Sequence, residues 1–282
     1  MDQELEKYRQ WVGRTQVQED IAAPFPPRAL IATLDARDPA PAKGDPLPPL
    51  WHWLYFLEAA PASKIGPDGH PQRGDFLPPV LLPRRMWAGS RLHFQGDIRL
   101  GDEIRRESQI VSVEPKTGAS GKMVFVGVRH RIFARGEEAV IEEQDIVYRQ
   151  APAPGDKPPA PKPAPSGAAW TKSVKADPVL LFRFSALMFI GHRIHYDQPY
   201  ATGEEAYPGL VVHGPLLGLM QMELARRSSP GKRVKAFEFR AISPVFDTTP
   251  FTVNGKPEGN AATTWVARDD GGLAQQGKVT FG

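Results

Sequence analysis

The chain of 282 residues contains no cysteine, which excludes a disulfide framework, a thiolate nucleophile and any zinc or iron–sulfur site built on cysteine. A reducing, cytoplasmic address fits that composition. No stretch approaches the roughly 18 uninterrupted apolar residues of a membrane helix. The opening MDQELEKYRQW carries charges where a secretion signal needs an apolar run, so neither export nor membrane association is expected. G-x-G-x-x-G, phosphate-loop and H-E-x-x-H patterns are missing as well, so no nucleotide cofactor and no metal is expected. Charge of one sign is not in large excess: 35 Lys and Arg against 32 Asp and Glu give a net charge of +3. The basic residues are scattered, without the stripe that nucleic-acid binding needs. A small anionic ligand suits this balance better.

What remains is a globular composition, 41% apolar and 24% charged, long enough for about two domains at roughly 100–200 residues each. The 30 prolines are in excess, and their densest cluster, APAPGDKPPAPKPAPSGAA, has no apolar residue large enough to anchor a core. It reads as an extended linker. The expected division is therefore an N-terminal unit over 1–150, a linker over 151–169 and a C-terminal unit over 170–282.

In the first block Asp2 to Val12 has the pattern of a short amphipathic helix. The segment LWHWLYFLEAA is too aromatic for a solvated loop, and core or dimer packing is favoured there over a cofactor site. From Ser108 the pattern turns to strands, SQIVSVEPK, KMVFVGVRHRIFA and AVIEEQDIVYR, separated by turns at GASG and RGEE. In the second block VVHGPLLGLMQMELARR predicts a helix opened by Gly214-Pro215. Strand-like runs follow at VKAFEFRAI, FTVNGK, TTWVARD and AQQGKVTF. The order repeats if LPRRMWAGSRLHFQGDIRLGDEI is set against VVHGPLLGLMQMELARR, as two helices each followed by a meander. One helix wrapped by a curved antiparallel sheet, made twice, is an α+β fold that buries each helix without a large core.

The densest polar group is in FRFSALMFIGHRIHYDQPYA, which sets His192, His195, Tyr196 and Asp197 among apolar neighbours. Histidine can take a proton from water and return one near neutral pH, and an acid two residues away could orient its ring. A satisfied structural histidine is the ordinary alternative. At His213-Gly214-Pro215 the helix start offers unpaired N–H groups and a positive dipole end, where a developing oxyanion would settle. A flexible helix start is the ordinary alternative there.

These segments, with WVGRTQVQEDI, FLPPVLLPRRMWAG, VEPKTGASGKMVFVGVRHRIF, EEQDIVYR and YPGLVVHGPL, resemble the MaoC-like double-hotdog hydratase family. Within it the likeness is to the 3-methylfumaryl-CoA (mesaconyl-C4-CoA) hydratase group, related to type 2 hydroxyacyl-thioester dehydratases. The resemblance implies a double hotdog whose second half keeps the active site while the first half shapes the acyl-CoA groove. It implies water addition to an enoyl-CoA, with His195 as base and the Gly214 N–H polarising the thioester. Coenzyme A is then a substrate carrier, no other cofactor is needed, and a homodimer is the default assembly.

The resemblance also implies an acidic or amide residue five positions before the motif histidine, where this chain has Ile190, and threonine where it has Met188. Isoleucine cannot donate, accept or orient a proton. His195 could work with Gly214 alone, His192 or Tyr196 could substitute, or activity could be lost. A free carboxylate on the acyl group would call for an arginine. Arg183, Arg193 and Arg240 are nearest in sequence, and Tyr196 and His213 are further binding candidates. A surface or structural ion pair is the ordinary alternative for each of those three arginines, while Arg84 and Arg85, placed at the start of a first-half helix, could meet CoA phosphates or merely cap an interface. Itaconyl-CoA hydration, dehydration on acyl-carrier protein and non-catalytic acyl-CoA binding stay open.

Overall fold

The computed structural model describes residues 6–118, 121–151 and 160–282. Among the described residues ten strands build one antiparallel sheet. The first half supplies β1 (Thr15–Ile21), β2 (Arg84–Phe94), β3 (Glu103–Gly118), β4 (Gly121–Ala134) and β5 (Glu137–Arg149). The second supplies β6 (Trp170–Val174), β7 (Val234–Ala241), β8 (Phe251–Glu258), β9 (Ala261–Arg268) and β10 (Leu273–Phe281). Three α-helices lie wholly among the described residues: α1 (Phe25–Thr33), α2 (Pro178–Leu187) and α3 (Gly214–Ser228).

The strand order, β1-β3-β4-β5-β2-β7-β10-β9-β8-β6, contains the internal repeat. Counted outward from the central β2–β7 pair, the first half runs 2-5-4-3-1 and the second 7-10-9-8-6, the same path taken twice. The seam is tight: Gly89 stands opposite Arg240 in the ladder, and a Cβ at that glycine would overlap the Phe239 carbonyl oxygen. The molecule is an α+β double hotdog.

Helix α3 is buried on nearly every side, with Leu216, Leu217, Leu219, Met220, Met222 and Ala225 in the core, as an all-round central helix must be. Its two buried polar side chains both have partners, although Gln221 Oε1 has none among the described residues. Gln221 donates to Gln275 Oε1 at 2.7 Å, and Glu223 accepts from Trp51 Nε1 at 2.9 Å. Helix α2 starts on Asp177, whose carboxylate accepts from the Leu180 N–H at 2.7 Å, an N-cap followed by proline.

The expected first-half helix is corrected. PRRMWAGSRLHF forms strand β2, paired with β5 and β7, because Leu92 and Phe94 turn inward while Arg91 and His93 face out, a period of two. The repeat counterpart of α3 is the short 3-10 turn Trp51–Leu54. Trp51, Trp53, Leu54, Tyr55 and Phe56 are buried there against Leu92, Phe94, Ile132 and Val140, so WHWLYF is core. The later strands and α3 stand where the sequence patterns put them. At the N-terminus the described part of the expected helix is a 3-10 turn, Lys7–Trp11, and its first residues lie outside the described set. The middle of the GASG turn and most of the APAPGDKPPA stretch lie outside it too. The described end of the Pro-rich segment hydrogen-bonds to the second half through Lys162 and Ala164. Among the described residues no helix is long and apolar enough to cross a membrane.

Candidate active site

The 3-10 turn Arg193–His195 follows α2 and presses His195 onto the start of α3. Its ring stacks on His213 with centroids 3.7 Å apart and planes within 19°. The His195 Nδ1–H donates to the Val211 carbonyl at 2.6 Å, which fixes the tautomer and leaves Nε2 as a lone-pair acceptor. Burial lowers the His195 pKa to about 4, so the ring is neutral at pH 7, the state a base needs.

His213 is the N-cap residue of α3. Its Nε2 shares a hydrogen bond of 2.8 Å with Ser185 Oγ on α2, while its buried Nδ1 has no partner among the described residues. Burial, with His195 and His192 alongside, holds its pKa well below the usual imidazole range. The Gly214 N–H, at the first helical position, likewise finds no acceptor among the described residues, and the aligned peptides of α3 stand behind it.

A loop of the first half completes the cluster. The Asp68 carboxylate is hydrogen-bonded to His70 Nδ1 at 3.0 Å. The His70 ring lies 4.0 Å from that of His192, which meets His195 edge-on at 5.5 Å. Desolvation opposes ionisation of Asp68, yet the His70 hydrogen bond and charge leave its pKa depressed. Desolvation depresses His192 and His70. Backbone carries the loop onto the motif: the Arg193 N–H donates to Asp68 O at 2.9 Å. Gly69 (φ +86°) packs so closely that a Cβ would overlap the Gly191 carbonyl oxygen. Asp68, His70 and His192 offer one ligand atom each within 4.8 Å of one another, but Asp68 and His70 already satisfy each other.

Several candidates are placed elsewhere. Asp197 does not orient His195. It binds Arg193 at 2.7 Å and caps the Tyr200 N–H at 3.1 Å, since residues four apart on a turn face each other. Arg193 is thereby neutralised, and it also donates to Pro67 O at 3.1 Å. Tyr196 is exposed, with its hydroxyl donating to Gly191 O at 3.0 Å. Arg183 is exposed on α2. Arg240 is on the face of β7 opposite Phe237 and Phe239, hence away from α3. Arg84 pairs with Glu205 at 3.0 Å and covers the Tyr207 ring at 4.8 Å. Ile190 packs against the core, as does Met188.

A cavity of about 260 Å³ is set almost wholly in the first half and reached from the second by Met188; none of His70, His192, His195 or His213 lines it, but Pro71, next to His70 in the chain, does. Its wall includes Arg85 and Trp87, and the Trp87 carbonyl lies 3.8 Å from the Cβ position of Gly214. On its floor the fully buried Glu142 accepts from Trp53 Nε1 at 2.9 Å and Ser90 Oγ at 2.7 Å, with His52 at 3.5 Å. Desolvation raises the Glu142 pKa, but these partners outweigh it and leave it lowered. His130, between Ser108 and Gln144, is depressed to about 4, chiefly by desolvation. None of Asp68, His70, Ser185, Glu142 or His130 had a motif to announce it. The only cue for the first two was an acid and a histidine in the Gly/Pro-rich turn GPDGHP.

Comparison with known proteins gives the family and the fold. Residues 50–247 match the family model for hydroxyacyl-thioester dehydratase type 2. A mesaconyl-C(4)-CoA hydratase of Chloroflexus aurantiacus is 46% identical, covering 96% of this chain and 97% of its own. The mitochondrial hydroxyacyl-thioester dehydratase type 2 of Schizosaccharomyces pombe is 30% identical over 93% and 98%. Among solved structures, a MaoC-like dehydratase from Phytophthora capsici superposes with a TM-score of 0.68 at 13% identity, covering 98% of both chains. A Mycobacterium tuberculosis protein described as a double hotdog fold gives 0.58 at 13% over 96% of both. The chain, with its repeated sheet and the buried, neutral His195 at its helix start, belongs to the hydroxyacyl-thioester dehydratase type 2 family and is a hydro-lyase.

Proposed function

We propose that the chain hydrates a short, branched dicarboxylic enoyl-CoA, 3-methylfumaryl-CoA, to citramalyl-CoA. The observation that carries the chemistry is His195: neutral, held through Nδ1 on Val211 O, and stacked on the residue that opens α3. The choice of substrate is supported by the 46% identity to a mesaconyl-C(4)-CoA hydratase.

In the proposed reaction the thioester oxygen accepts a hydrogen bond from the Gly214 N–H. Charge drawn to that oxygen makes the β-carbon electrophilic, and one such donor can stabilise the developing enolate by about 3 kcal/mol. His195 Nε2 takes a proton from water as its oxygen bonds to the β-carbon, and the proton returns to the α-carbon. A positioned base contributes roughly 10²- to 10⁴-fold. The family position at Ile190 supplies nothing polar here, and the unpartnered Nδ1 of His213 is the group left to hold the water from its other side. Coenzyme A enters as the carrier of the acyl group.

An absorbance assay of the conjugated thioester tests this with 3-methylfumaryl-CoA, itaconyl-CoA, crotonyl-CoA and a long-chain enoyl-CoA. 3-Methylfumaryl-CoA should have the highest kcat/KM, and His195→Ala should lower its kcat by about a thousandfold while CoA still binds. Unchanged turnover in that variant removes His195 from the mechanism. Preference for the long uncharged chain selects the carrier-protein dehydratase, and thermal stabilisation by acyl-CoA without turnover selects a binder.

A further inference from the structure

We propose that Arg85 receives the free carboxylate of the acyl group and thereby sets the preference for dicarboxylic over uncharged enoyl-CoAs. This rests on the reaction proposed above and adds a residue to it.

Three guanidinium groups line the cavity, those of Arg73, Arg85 and Arg106, and their donors are not equally free. Arg73 spends its donors on backbone, reaching the carbonyls of Val80, Leu82 and Pro83. Arg106 donates to Gln18 and to the Phe56 carbonyl. Arg85 has no carboxylate within ion-pairing distance among the described residues, and its neighbours are the neutral Tyr148 hydroxyl and the cation Arg73. Its chain neighbour Arg84 is taken up by Glu205. The acids nearby are occupied or turned out: Asp68 holds His70, Glu142 holds Trp53 and Ser90, Glu58 faces Arg106 and Asp75 is exposed. A half-buried cation on a cavity wall without an anion is a receptor for one.

Its location fits this acyl group in particular. In 3-methylfumaryl-CoA the free carboxylate is on the β-carbon, the atom that water attacks. The cation that binds it must therefore stand beside the water-activating histidine, not at the far end of a groove. Arg85 is near enough to His70 and His192 for its charge to oppose their protonation, and His192 touches His195. An ionised carboxylate on the attacked carbon also repels the incoming oxygen, and a guanidinium paired with it offsets that repulsion. The effect of Arg85 should thus reach kcat as well as KM.

The test is the ratio of kcat/KM for 3-methylfumaryl-CoA over crotonyl-CoA, in which the β-carbon carries a methyl and no carboxylate. The ratio is measured on one preparation each of the native enzyme, Arg85→Met and Arg85→Lys, so that the active fraction cancels. Arg85→Met should lower it by about a hundredfold, as expected for a lost charge-assisted pair, and Arg85→Lys by less. Equal losses on both substrates overturn the assignment while leaving the proposed reaction intact. Equal losses with weaker inhibition by free CoA overturn it too, and give Arg85 to the CoA phosphates. If the native enzyme hydrates crotonyl-CoA but not 3-methylfumaryl-CoA, the proposed reaction falls and the assignment with it.

Discussion

In the second half a helix of 15 residues fills the curve of the sheet; in the first half the equivalent place holds the four residues Trp51–Leu54. Strand order is the same on both sides of the β2–β7 seam, so the difference is in what the sheet wraps. A long helix brings backbone that satisfies itself and an N-terminus aimed at the site. A 3-10 turn carrying two tryptophans replaces some of that volume with aromatic rings and leaves the rest as the cavity of about 260 Å³. The cavity costs the first half the packing that a second helix would give, and its floor is held by a hydrogen-bonded carboxylate instead. Trp51 Nε1, bonded to Glu223 of α3 at 2.9 Å, ties the two solutions together.

If the first half is held by Glu142, removing that side chain should produce the largest loss of stability. Glu142→Ala orphans the buried donors of Trp53 and Ser90, which should cost about 3–5 kcal/mol, read as a fall in the denaturation midpoint. Glu142→Gln, which still offers an acceptor, should lose less. Equal losses in the two variants would show that the cavity floor is packed and not hydrogen-bonded.

The contact between the halves at the histidine cluster should be the next most sensitive. Gly69→Ala puts a Cβ into the Gly191 carbonyl at a residue with φ +86°, a conformation that side chains disfavour. Backbone on both sides leaves little room to yield, and a loss of about 2–3 kcal/mol is expected. Activity measured on the folded fraction should fall as well, because Asp68 and His70 then withdraw from His192. An active enzyme with a shifted loop would make the first-half loop dispensable.

Acid should act on both halves, through buried imidazoles. His195 and His130 are each depressed to about 4 from 6.5, and desolvation lowers His213 and His192 as well. In the unfolded chain each takes up a proton near its ordinary pKa, whereas the folded protein resists. The stability they contribute is present above about 6.5 and is lost as pH falls towards 4. Turnover limited by His195 as base should hold down to about pH 4. A denaturation midpoint flat between pH 7 and 5 would show these rings to be solvated.

Much of this was legible in the chain, and the exceptions have physical reasons. Strands from Ser108 to Arg149 and helix α3 stand where period two and the Gly-Pro start put them. PRRMWAGSRLHF misled because its inward residues are separated by a bulge between Trp87 and Gly89, which breaks the alternation that marks a strand. At the site, His195, His213 and Gly214 come together from one short motif and one helix start. Asp197 and Arg193 were drawn into the candidate site by adjacency, but adjacency made them partners of each other. Asp68, His70 and Arg85 reach the site across more than 100 residues of sequence, through the sheet seam and a glycine contact that no local pattern records.

Ile190 sets the smallest expected effect and bears on how the second half works without its family polar residue. Its N–H donates to the Ser185 carbonyl at 2.8 Å, and its side chain lies against the core with Leu187 and Met188. Replacement by asparagine exchanges apolar contact for an amide that must find partners, costing about 1 kcal/mol. If Ser185 and His213 already supply the polar wall beside His195, the new amide duplicates a function and kcat should change by less than about tenfold. A rise of a hundredfold or more in the absorbance assay would mean that the native site lacks a working proton partner for water, and that His213 does not fill that role.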